Sequence, residues 1–197
     1  MKKGRIEAFS DGVLAIIITI MVLEIKVPHG SGLSDLKPVI PVFLSYVLSF
    51  IYIGIYWNNH HHMMATVKKV TGDVLWANLH LLFWLSLVPF TTGWMGENHF
   101  SAMPLALYGL NLLMAALAYF ILQNRIIKNH GKDSVLANAI GKDLKGKISP
   151  VLYILAIAAT WINPWISGSL YVAVALIWLI PDKRIERIIN TLDENDL

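Results

Sequence analysis

The residues able to do chemistry gather at two places. Arg5, Glu7, Ser10 and Asp11 open an otherwise aliphatic stretch, RIEAFSDGVLAIIITIMVLEI, and His60, His61 and His62 stand in a row at the end of a second apolar run. Carboxylates and imidazoles can relay protons, hold a metal or pair with a cation. The spacing speaks against a metal, because consecutive residues on a helix point about 100° apart and cannot close on one ion. His60 and Met64, one helical turn apart, could touch a soft metal such as copper. The HExxH and clustered-carboxylate spacings of metal hydrolases are missing, however. Cysteine is absent, which removes thiolate ligands, thiol nucleophiles and disulfides. These residues therefore predict neither an enzyme nor a resident metal or cofactor.

Asp11 poses a problem of solvation. A carboxylate inside a hydrocarbon layer costs about 2.5–3.5 kcal/mol on insertion scales, so it should face protein or a water-filled cavity. Arg5, His60, His80 and Asn78 are the candidate partners. Glu7 and Arg5 lie closer to the N-terminal end and can reach the headgroups along their own stems.

The elements that must position these groups are membrane spans. Of 197 residues, 56% are hydrophobic and only 15% charged, far from the quarter usual in soluble domains. Apolar runs near the roughly 20 residues needed to cross a bilayer predict six helices, at about 5–25, 38–58, 73–95, 103–123, 149–163 and 165–180. Pro164 starts the last of them after a tight turn. With the N-terminus inside, fourteen of the sixteen Lys and Arg residues fall in inner segments, leaving only Lys26 and Lys37 outside. That asymmetry predicts both termini in the cytoplasm and an even number of crossings. The fold class is thus all-α, a single polytopic membrane domain over residues 1–197. The polar stretch 124–148, with Gly131, Gly141 and Gly146, reads as a connection. The tail 182–197 carries Ile185, Ile188, Ile189 and Leu192 at helical spacing, an amphipathic surface helix. The net charge of +3 is dispersed among loops, so nucleic acid is not an expected partner. Trp57, Trp94 and Trp165 near span ends read as interfacial anchors, and Glu24 and Glu97 as carboxylates at the outer mouth.

Within the first span, Ile16, Thr19 and Leu23 share one narrow stripe, extended inward by Phe9 and Gly12, while Glu7 and Asp11 lie on another face. An apolar stripe ordinarily contacts lipid or another helix. It can also wall a pore, but a single stripe encloses no water, so several copies of the helix must surround an axis. Apolar rings there would restrict ions by dewetting, with a hydroxyl ring at Thr19 as the polar stop.

The pattern Arg5-x-x-x-Phe9-Ser10-Asp11, continued by Gly12, Val13, Ala15, Ile16, Thr19 and Leu23-Glu24-Ile25, resembles the signature of the transmembrane-protein-175 family, the endolysosomal potassium channels and their prokaryotic relatives. Trp57 with His60 resembles that family's Trp-x-x-His element, and Asn78 with Leu87-Val88-Pro89-Phe90 its third-helix pattern. The resemblance implies a six-helix subunit that assembles, in single-repeat prokaryotic members, as a homotetramer. It implies a potassium-permeable channel in a prokaryotic plasma membrane, lined by the first helix and lacking a carbonyl filter, with K+ as permeant ion and no cofactor. It puts the constriction at Ile16, Thr19 and Leu23, with K+ passing transiently near Thr19. Arg5, Ser10, Asp11 and His60, with Asn78, become the network that holds the first helix. The His60-His61-His62 triplet departs from the family, which needs only the first or the first two. A proton-coupled carrier using Asp11 and His60 is the competing reading, although no inverted repeat is visible.

Overall fold

The computed structural model describes residues 3–131, 133–140 and 143–179, and these contain helices and no strand. Eight α-helices follow in order: α1 Lys3–Leu23, α2 Ile40–Ala65, α3 Gly72–Ser86, α4 Val88–Glu97, α5 Ala102–His130, α6 Val135–Ile140, α7 Leu144–Ala159 and α8 Pro164–Leu179. A 3₁₀ segment, Leu33–Val39, leads into α2. Among the described residues, four stretches are long and apolar enough to cross a membrane: Lys3–Leu23, Leu33–Ala65, Gly72–Glu97 and Ala102–His130. Pro164–Leu179 is apolar but shorter. Over the described residues the chain is all-helical, and its apolar helices mark it as a membrane protein. The predicted amphipathic tail, 182–197, lies outside the described residues.

Local chemistry explains the element ends. Pro41 sits in the first turn of α2, where its missing N–H would be unsatisfied anyway. The predicted third span is divided at Leu87, because Pro89 has no N–H and its ring crowds the carbonyl of Leu85. The freed backbone groups find partners. Thr91 Oγ1 donates towards the Val88 carbonyl at 3.2 Å. Asn111 of α5, with its amide oriented to satisfy both ends, donates to the Trp84 carbonyl at 2.9 Å and accepts from the Val88 N–H at 3.3 Å. Such stitching keeps a broken helix tolerable in a membrane. At α7, Asp143 takes a left-handed backbone (φ 37°) and caps the helix by accepting from Gly146 N–H at 3.0 Å.

Two cores meet along α5. In the first, α1 packs on α2, α3 and α4, burying Leu14, Ile17 and Met21 with Ile53, Met64, Val74 and Leu85. In the second, α5, α7 and α8 enclose Tyr108, Tyr153 and Tyr171 around Leu112 and Val174, with Tyr52 of α2 joining them. The approach of α5 to α8 requires Gly109, since a Cβ there would collide with the Tyr171 side chain and Ile157. With no hydrophobic driving force between helices in lipid, these contacts and buried hydrogen bonds hold the bundle.

Candidate functional site

The first helix has a buried and an exposed side. Ile6, Ser10, Leu14, Ile17 and Met21, at helical spacings of four and three, face the bundle. Phe9, Gly12, Ile16, Thr19 and Leu23 face outward, with Ile16 59% and Leu23 76% exposed. The two stripes are centred roughly 140° apart at 3.6 residues per turn.

On the buried side a hydrogen-bonded chain ties three helices together. Ser10 Oγ donates to the Ile6 carbonyl at 2.8 Å. Its lone pair accepts from Asn78 Nδ2 at 2.9 Å. Asn78 Oδ1 then faces His60 Nε2 at 2.7 Å. Since the serine proton is committed to the backbone and the amide nitrogen to the serine, the remaining amide oxygen is an acceptor, and His60 must carry its proton on Nε2. All three side chains are at least 97% buried, Ser10 0%, His60 3% and Asn78 1% exposed. Each member meets the next along this chain, and so the group acts as a directional fastener between α1, α2 and α3.

Three of the five residues expected in the network therefore share one chain, and two stand apart. Asp11 is exposed and accepts from Trp57 Nε1 at 3.1 Å. Its partner is an indole on α2, and no hydrogen bond links it to Arg5, His60, His80 or Asn78 among the described residues. Arg5 is exposed and borders a groove of about 370 Å³ between α1 and α3, with Phe9, Trp76 and Leu79. Glu7 pairs with Lys3 at 3.8 Å. The histidine triplet divides: His60 is buried, while His61 stacks on Trp57 with ring centroids 6.3 Å apart and His62 meets His61 edge-on at 5.6 Å. Among the described residues no three His, Asp or Glu side chains converge on a metal position. His80 accepts from Trp84 Nε1 at 3.0 Å within its own helix.

On the exposed side Thr19 is the one hydroxyl. Its Oγ1 donates to the Ala15 carbonyl at 2.9 Å. The proton is thereby used up, and only lone pairs point outward, a surface suited to a cation or to the hydrogens of water. At the far end Lys26 Nζ meets Glu97 Oε1 at 2.9 Å, so Glu97 is not a free carboxylate. The Glu97 hydrogen bond, and then its charge, raise the Lys26 ammonium above the usual lysine range.

Sequence reasoning missed two residues. Trp57 was read as an interfacial anchor when its indole N–H is what solvates Asp11. Asn111, an amide amid the apolar residues of α5, had no assigned role, although a lone amide in such a run signals a backbone needing help.

Comparison with known proteins agrees with this architecture. The pattern of the family described as endosomal/lysosomal potassium channel TMEM175 matches residues 5–89. A potassium channel of Chryseobacterium sp. (strain P1-3) is 60% identical over 195 residues, covering 99% of this chain and 100% of that one. A potassium channel of Streptomyces collinus is 38% identical over 126 residues, 60% of this chain and 61% of that one. The crystal structure of a lysosomal potassium-selective channel TMEM175 homologue from Chamaesiphon minutus superposes with a TM-score of 0.79 at 32% identity, covering 91% of this chain and 97% of that one. With a near full-length relative, a shared fold and the α1 signature coinciding, the chain belongs to the TMEM175 family.

Proposed function

We propose that this chain is a potassium-permeable channel of the prokaryotic plasma membrane, formed by four copies whose α1 helices surround a common axis. Six crossings put both termini inside. Ile16 and Leu23 form aliphatic rings where a hydrated ion sheds part of its shell, and Thr19 supplies compensating oxygens between them. Selectivity arises without backbone-carbonyl coordination, since α1 is a continuous helix whose carbonyls are engaged internally.

The observation that carries the reading is the outward stripe of α1. A 21-residue helix spans about 31 Å, the thickness of a hydrocarbon core. It keeps Ile16, Thr19 and Leu23 unpacked within one protomer, with the threonine lone pairs facing out. The relatives named as potassium channels support the permeant ion. The carrier reading needs Asp11 and His60 to exchange a proton, but Asp11 is bonded to Trp57 and His60 to Asn78.

The test uses the absence of cysteine in the chain. Leu23→Cys and, as control, Val151→Cys on the exposed side of α7 are reconstituted in liposomes with a potassium gradient. Potassium should flow passively without a coupling ion. A cationic methanethiosulfonate should block flux through Leu23→Cys and spare Val151→Cys. Flux that persists in the modified Leu23 variant removes α1 from the conduction path.

A further inference from the structure

The inner end of the bundle, where α1 begins, carries a second set of polar contacts that the pore reading does not use. The turn from Thr66 to Thr71, between α2 and α3, is clasped by the last two residues of α5. His130 Nδ1 lies 2.9 Å from the Ile126 carbonyl, one helical turn back, and so carries the ring proton. Its Nε2 then accepts two backbone donors, Lys68 N–H at 3.0 Å and Lys69 N–H at 3.3 Å. Next to it Asn129 Nδ2 donates to Thr71 Oγ1 at 2.7 Å and to the Asp73 carboxylate at 3.1 and 3.2 Å. Gly131, with φ at 92°, ends α5 at this point.

We infer that His130 is a proton-operated latch: protonating Nε2 ejects the Lys68–Lys69 backbone and frees the α2–α3 turn. The geometry allows no compromise, because two N–H groups already point at that nitrogen and a third hydrogen would face both of them. The Asn129 side of the clasp has no imidazole and does not change with it. Charged residues stand near the ring on each neighbouring element. Lys68 and Lys69, whose N–H groups meet it, and Lys128, two residues earlier, oppose an added proton, while Asp73, bonded to the adjacent Asn129, and Asp133, three residues on, favour it. The turn is in turn joined to α1. Lys3 Nζ donates to the Ala65 carbonyl, the last residue of α2, at 3.1 Å, and pairs with Glu7. Release of the turn therefore loosens the anchor of the helix that bears Ile16, Thr19 and Leu23, so that acid on this side raises potassium flux. This coupling rests on the proposed channel function, whereas the latch does not.

Two measurements on the reconstituted full chain separate them. Val67→Cys and Val70→Cys place thiols at buried positions in the turn, and maleimide labelling is followed at pH 7.5 and 5.5 with native His130 and with His130→Gln. Glutamine can still accept but does not titrate, and dividing the two rates at each pH cancels the thiolate dependence. The ratio should be near one at pH 7.5 and rise on the order of tenfold at pH 5.5. His130→Lys, a fixed cation, should label fast at both values. A ratio that stays at one overturns the latch, whatever the flux does. If the ratio rises, potassium flux should increase about fivefold with inside acidification and His130→Gln should abolish that increase. An increase that survives in His130→Gln, or no increase at all, overturns the coupling to α1.

Discussion

Ile16 and Ile17 are neighbours with the same side chain, yet Ile17 is 3% exposed and Ile16 59% exposed. In a soluble protein an aliphatic helix would bury its greasier side. Here both sides are greasy, and lipid is as good a solvent for isoleucine as another helix is. What sets the rotation of α1 is polar. Ser10 lies on the same stripe as Ile17, and only on that side can its hydroxyl meet Asn78 and, through it, His60. The opposite stripe is left to neighbours of another kind. The buried stripe should govern whether the subunit folds, and the exposed stripe what passes along it.

Variants of the two stripes can break that division. The largest effect is expected for Asn78→Leu, which strands the His60 N–H and the Ser10 lone pair. Orphaned buried groups of this kind cost about 2 kcal/mol, which for a chain of this size lowers the Tm by about 4–8 °C. Thermal unfolding in detergent measures it, and an unchanged Tm would leave α1 held by apolar packing alone. Ile16→Asn should do the reverse, with Tm unmoved and the potassium over sodium permeability ratio falling about tenfold, equivalent to about 1.4 kcal/mol. Reversal potentials under mixed-ion gradients read it directly, and an unaltered ratio takes Ile16 out of the constriction. Trp57→Phe keeps the ring and removes the donor to Asp11. A net loss of about 1 kcal/mol, or about 2–4 °C, places Asp11 on the folding side of the division. A change in selectivity without one would place it on the conducting side. The smallest effect belongs to Thr19→Ala, which removes the outward lone pairs from a position that packs on nothing in the protomer. Selectivity should fall about twofold, roughly 0.4 kcal/mol by the same conversion, with no change in Tm, and a destabilised protein would mean that Thr19 serves its helix rather than an ion.

Much of this was legible beforehand, for reasons that can be traced. Residues 5–25 announced a membrane helix by length and hydropathy, and Lys3–Leu23 is a helix long and apolar enough to cross a membrane. The Ser10, His60 and Asn78 association came from resemblance, because no periodicity connects side chains on three helices. The candidate partners offered to Asp11, namely Arg5, His60, His80 and Asn78, did not include Trp57, whose single indole N–H donates to it here. The stretch 124–148 read as a connection because Arg125, Lys128 and three glycines look unlike a membrane span. A helix can continue into water, however, and α5 runs on to His130 before Gly131 stops it. Gly146 lies inside the first turn of α7, where its N–H meets the Asp143 cap. The break at Leu87 was foreshadowed by Pro89, but its repair by Asn111 depends on where α5 comes to lie, which only the packed bundle decides.

The lengths of α5 and α7 bear on the lipid around the protein. With 29 residues α5 extends about 44 Å, and with 16 residues α7 extends about 24 Å. A hydrocarbon core of about 30 Å is overshot by one helix and undershot by the other. Trp161 and Ile162 follow α7 and are exposed, so on the proposed six-crossing reading acyl chains would have to dip to meet them. In that arrangement the annulus would be uneven, pinched beside α7 and unstrained beside α5. Each ångström of that pinch would carry a fraction of a kcal/mol, enough for short-chain phospholipids to collect on one flank and, in the proposed tetramer, for bilayer thickness to bear on how readily subunits find one another.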